Sequence, residues 1–147
     1  MPVLKEKIKI CDRLEIFKNG ALIDTIDDLI TTAGLDWIIS RLRGLSSAAS
    51  HVAVGSGQTA PALADEALQS ELARVPLSIP GGQQTGNVIV FEADFPAGVG
   101  TGTIYEVGLF TADTGGILIA RNAKGPYKKD PADAITTRLT ITISNAE

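Results

Sequence analysis

The chain has 147 residues, a formal net charge of −4 and a sequence pI of about 5.0. It holds one Cys and one His, which excludes an internal disulfide framework, a structural zinc site and most histidine-centred catalysis. The acidic balance gives no basic footprint for nucleic acid, and 44% hydrophobic with 20% charged residues fits a folded single domain rather than a disordered chain.

The first elements read as β. Lys5, Lys7 and Lys9 interleave with Ile8 and Ile10, the alternation of a strand with one wet face. Leu14-Glu15-Ile16-Phe17 and Ala21-Leu22-Ile23 flank Asn19-Gly20, a pair that tolerates positive φ and marks a hairpin, so residues 5–26 are expected to form a two- or three-stranded meander. The N-terminus lacks the apolar core of a secretory signal, and no apolar run approaches the roughly 18 residues of a membrane span; the chain is expected to be made in a cytoplasm and not exported by that route. Cys11 reads as a small buried hydrophobe.

Asp24, Asp27 and Asp28 precede a clear helix and are expected to solvate the turn and favour the helix N-terminus. Thr31 or Thr32 serves as N-cap; Leu35, Ile38, Ile39 and Leu42 then fall on one face, Arg41 and Arg43 suit the last turn, and Gly44 suits the C′ position. Trp37 lies off the centre of that stripe and is expected to touch another part of the chain or another subunit.

His51-Val52-Ala53-Val54 is a short strand ending in Gly55-Ser56-Gly57. A weaker helix is expected near 64–73, with Leu68 and Leu72 four apart, followed by an edge strand around Val75, Leu77 and Ile79, held to the edge by Pro76. The second half is β-rich: residues 87–95, 104–111, 117–120 and 135–144 read as strands, with turns at Gly98–Gly102 and at Asp113-Thr114-Gly115-Gly116, and with residues 122–134 read as a polar loop. The fold class is therefore α+β, mainly antiparallel β: a β-sandwich-like sheet with one firm and one weaker helix packed on it.

No catalytic, cofactor or metal site emerges. The glycine loops lack the Lys-Ser/Thr of a P-loop and the strand–loop–helix setting of a dinucleotide fingerprint, so their glycines serve turns. Ser56 is not in a nucleophile elbow, because Val54 stands where the first Gly should be, and His51 has no nucleophile to serve. Glu92 and Asp94 share a strand face that is read as solvent-facing or intersubunit.

The order of the central segments carries more. Ile30-Thr31-Thr32-Ala33-Gly34-Leu35, His51-Val52-Ala53-Val54-Gly55-Ser56-Gly57, Val90-Phe91-Glu92-Ala93-Asp94-Phe95-Pro96, Tyr105-Glu106-Val107-Gly108-Leu109-Phe110 and Gly116-Ile117-Leu118-Ile119-Ala120-Arg121 form a series that resembles the bacteriophage tail-collar fibre family over roughly residues 30–122. The resemblance implies a virion structural protein of the phage tail or baseplate, made in the host cytoplasm, and a homotrimer with no catalytic residues, no cofactor and no metal. Gly34, Gly55, Gly57, Glu106 and Gly108 would hold the fold, with a close backbone approach at Gly108 and Glu106 capping the buried loop after Gly55. Residues 1–29 are then an N-terminal hairpin extension, 30–122 the resembling core, and 123–147 a polar loop and final strand.

The chain ends at Glu147 without a repetitive shaft, which points to an adaptor attaching a tail fibre or receptor-binding protein. Its docking surface is expected at the hairpin and at the 122–134 loop, with Asn19, Gly20, Trp37 and Tyr127 as candidates. The alternative is a short tailspike tip or carbohydrate-binding module contacting the host surface, which would need exposed aromatics from a set of only seven.

Overall fold

The computed structural model describes residues 7–145. The strands are β1 (Ile8–Lys18), β2 (Ala21–Asp27), β3 (Leu29–Ile30), β4 (His51–Gly55), β5 (Glu71–Pro76), β6 (Gln83–Thr85), β7 (Val88–Phe95), β8 (Gly102–Phe110), β9 (Leu118–Lys129) and β10 (Ile135–Asn145), and the helix is α1 (Thr32–Leu42). They build two five-stranded antiparallel sheets, in the orders β2-β1-β10-β7-β6 and β3-β9-β8-β4-β5. The mainly antiparallel, sandwich-like expectation therefore holds.

Alternation sets the core. Leu14 and Ile16 of β1, Phe91, Ala93 and Phe95 of β7, and Ile135, Leu139 and Ile141 of β10 face inward from the first sheet. They meet Val52 and Val54 of β4, Ile104, Val107 and Leu109 of β8, and Ile119 and Ala120 of β9 from the second. The chain crosses between sheets at Asp28, where β2 ends and β3 begins.

The hairpin turn at Asn19-Gly20 has φ +50° and +83°, the left-handed values that such a pair supplies at little cost. The hairpin is not an appendage. β1 lies between β2 and β10 and pairs with β10 along its whole length, from Ile8 opposite Asn145 to Lys18 opposite Ile135.

Four expectations are corrected. The weaker helix near 64–73 is absent: the backbone N–H groups of Gln69 and Ser70 go to the Glu106 carboxylate instead of to carbonyls four residues back, and Glu71 onward joins β5. Residues 122–129 are strand, not loop, because β9 follows β8 to Lys129 with Tyr127 and Lys129 turned inward; Pro126 is tolerated where β3 no longer covers that side of β9. Cys11 is exposed, since the register that buries Leu14 and Ile16 puts odd positions of β1 outside. Three of the four residues of the predicted helix stripe also face away from the body: Leu35, Ile39 and Leu42 are exposed, while the fourth, Ile38, is half-buried with Trp37, and Gly34 is buried.

Helix α1 is anchored at both ends. The Thr31 hydroxyl accepts from Gly34 N at 2.9 Å and donates to the Leu118 carbonyl at 2.6 Å, so one buried side chain caps α1 and ties it to β9. At the other end Gly44, with φ +72°, donates to the Arg41 carbonyl and Leu45 N to the Ser40 carbonyl, the paired bonds of a Schellman cap.

Candidate functional site

The motif residues converge on one place. Between β4 and β5 the chain makes a loop over residues 56–70 without helix or strand. Glu106, on β8, points from the sheet into this loop and is fully buried. One carboxylate oxygen accepts from Gly57 N and Ser70 N, both at 2.8 Å. The other accepts from Gln69 N at 2.8 Å and from the Arg121 Nε at 3.1 Å. A buried carboxylate is tolerated only when such donors replace the water it lost, and here both ends of the loop supply them.

Arg121 extends the network. It is 2% exposed, and beyond Glu106 it donates to the Asp65 carboxylate at 3.0 Å and to the Thr59 carbonyl at 3.0 Å. Asp65 in turn accepts from Ala62 N, and the Gln69 side-chain oxygen accepts from Thr59 N. One ion pair on adjacent strands thus replaces the secondary structure that the loop lacks.

The glycines leave room for this arrangement. A Cβ on Gly55 would lie 2.5 Å from the Ser70 carbonyl oxygen and 2.6 Å from a Glu106 carboxylate oxygen, and one on Gly57 would collide with the same carboxylate. A Cβ on Gly108 would press on Leu68 at 2.8 Å and Leu118 at 2.9 Å, so the loop's one buried leucine packs where β8 has no side chain. A Cβ on Gly34 would run into the Ile119 carbonyl, which is how α1 lies directly on β9. Gly34, Gly55, Gly57, Glu106 and Gly108 are therefore all spent on fastening the loop and the helix to the second sheet. Arg121 and Asp65, the other half of the network, carried no signal as site residues in the sequence beyond an Arg closing an apolar strand.

The docking candidates are dispersed. Asn19 and Gly20 form the exposed hairpin tip, where the Asn19 side chain donates to Asp133 and accepts from Ala134 N. This bond, ahead of those from Asp130 N and Lys18, holds the Asp133 carboxyl below its usual range. Trp37 packs half-buried on the core and donates its indole N–H to the Ser47 carbonyl at 2.7 Å. Tyr127 is buried, and its hydroxyl donates to Asp24 at 2.8 Å; burial and that carboxylate push the phenol above its usual range, so it is part of the interior rather than a docking surface.

Two acidic residues, Asp24 and Asp28, differ from expectation. Asp24 faces Tyr127 and Lys124, whose hydrogen bonds outweigh the effect of burial and lower its carboxyl. Asp28 is not a solvated turn residue: it lies deep beside Asp12, and burial together with the Asp12 charge raises it well above the carboxylate range. Asp12 shares the inward register of Leu14 and Ile16, both its carboxylate oxygens lack a hydrogen-bond partner, and burial pushes it up to about 7. Glu92 pairs with Arg138 at 2.8 Å, and Asp94 accepts from Thr136 at 2.7 Å. Among the described residues no helix is long and apolar enough to cross a membrane.

A loop clamp of buried charge beneath a sandwich, with its motif residues used for packing, defines a structural domain. The family model of the phage tail-collar fibre protein N-terminal domain matches residues 24–147, nearly the whole chain. The chain belongs to that family and is a phage tail structural protein. No curated protein and no solved structure matches it significantly.

Proposed function

We propose that the protein is an adaptor within the phage tail, seated on a baseplate or tail-tip protein and attaching a fibre or receptor-binding protein, with copies of the chain assembled as a homo-oligomer. The resemblance implies three copies. The observation that carries the reading is a pair of exposed apolar surfaces on two different elements, β2 and α1. On the edge of the first sheet, β2 leaves Leu22 (52% exposed) and Ile23 (46% exposed) uncovered beside the fixed Asn19-Gly20 tip. Beside β9 of the second sheet, α1 leaves Leu35, Ile39 and Leu42 uncovered. An edge strand with an open row of backbone donors and acceptors pairs readily with a partner strand, and so the hairpin is the proposed docking element on the tail.

The test is assembly. Phage carrying Leu22→Lys with Ile23→Lys in this gene should produce tails that lack both the protein and its attached fibre, while the variant folds normally in isolation. Tails that carry full fibres without the protein would sink the adaptor reading. Glycan-array binding by the isolated chain would move it to direct contact with the host surface.

A further inference from the structure

Helix α1 presents its sequence stripe outward. Gly34, Trp37 and Ile38 turn to the body, while Leu35, Ile39 and Leu42 are 44%, 60% and 80% exposed, and Leu45 just beyond the cap is 49% exposed. Their spacing of four and three residues gives a straight seam of the kind that pairs helices. Together they expose roughly 400 Å² of apolar surface, comparable to the largest patch on a typical monomer and often functional at that size. That is about half of the roughly 800 Å² each partner contributes to a stable interface, an apolar centre still needing a polar rim.

The charges around the seam specify what fits. Asp36 and Arg43 each follow a seam leucine by one residue; both are exposed, and neither is in an ion pair among the described residues. The N-terminal end of the seam is acidic, with Asp36 and Glu66 lining one hollow beside Leu63, and the C-terminal end is basic, with Arg41 and Arg43. A parallel helix from another copy would set acid against acid. An antiparallel copy, turned about a two-fold axis at Ile39, sets each acidic end beside the other's basic end, brings Asp36 alongside Arg43 twice, and opposes the two helix dipoles.

We propose that the outer face of α1 is a self-association surface on which a second copy of this chain docks antiparallel about a two-fold axis. The contact is separate from the hairpin surface. It joins copies two by two, so the chain assembles as two copies, or as six where the three-fold contact that the resemblance implies also forms.

The experiment is mass measurement of the full chain in solution by analytical ultracentrifugation across a micromolar range, with thermal melts confirming that each variant folds. The wild type should show an even number of copies. Leu42→Glu should weaken association by at least about tenfold, as expected for an anchor at an interface centre. Asp36→Arg and Arg43→Asp should each weaken it several-fold, and the double swap should restore it. A wild-type mass of one or three copies would overturn the proposal, as would an association indifferent to Leu42→Glu. A double swap no better than either single would overturn the antiparallel arrangement. None of these results bears on the hairpin surface.

Discussion

Replacing Glu106 with Ala removes the acceptor of four hydrogen bonds: three from the loop backbone at 2.8 Å and one from Arg121 at 3.1 Å. Arg121 would keep Asp65 and the Thr59 carbonyl but lose its only fully buried counter-charge. Counted singly at about 1.5–3 kcal/mol for bonds to a charged group, the four would come to about 6–12 kcal/mol, comparable to the whole stability of a domain. Water entering the loosened loop recovers part of that, since Gln69 and Ser70 lie near the surface. The cost of breaking one buried pair, about 3–5 kcal/mol, is the better guide. Against a total of roughly 5–15 kcal/mol this takes away a large share, and the melting temperature should fall by about 10–15 °C. Urea denaturation followed by circular dichroism should show a lower midpoint, and limited proteolysis should cut within residues 56–70. Glu106→Gln keeps the volume but turns one acceptor into a donor facing another donor, so it should lose about half as much. A Glu106→Ala protein melting within about 2 °C of wild type, with no new cleavage, would refute the clamp.

The buried Asp12–Asp28 pair sets a pH dependence. Both folded carboxyls lie above their ordinary value, so the folded state holds more protons than the unfolded one between about pH 4 and 7, and stability should fall as pH rises through that window. Asp12→Asn should flatten the fall in urea midpoints measured from pH 5 to pH 8. Thr31→Ala should cost about 1–2 kcal/mol by losing the N-cap and leaving the Leu118 carbonyl short of a donor, read from the same denaturation curves. Gly108→Val would drive a side chain into Leu68 and Leu118 and should lower stability by about 1–3 kcal/mol, loosening the 56–70 loop as seen by hydrogen exchange. Leu42→Glu, at an 80% exposed position, should leave the melting temperature of the isolated chain within a few degrees of wild type.

Local patterns in the sequence determined most of the strands. Period-two alternation located β1, β7, β8 and β10, and Asn19-Gly20 located the first hairpin, because strand faces and positive-φ turns are written residue by residue. Asp12 falls on the inner face with Leu14 and Ile16, a placement not drawn from the sequence, and its partner Asp28 comes from the crossover between sheets. The cap and spacing of α1 were equally local.

What the tertiary structure decided was which surfaces meet. The stripe of α1 is a true helical stripe, yet Gly34 packs so closely on the Ile119 carbonyl that the flank carrying Trp37 turns inward and the leucines turn out. Residues 64–73 have helical spacing, yet a carboxylate about 35 residues further along the chain takes their backbone donors, and no local pattern records a competitor so distant. Tyr127 looks like a loop aromatic until β8 extends the pairing of β9 over it. Periodicity describes a segment's own faces; burial is settled by the neighbour that covers them, and that neighbour is chosen by the whole fold.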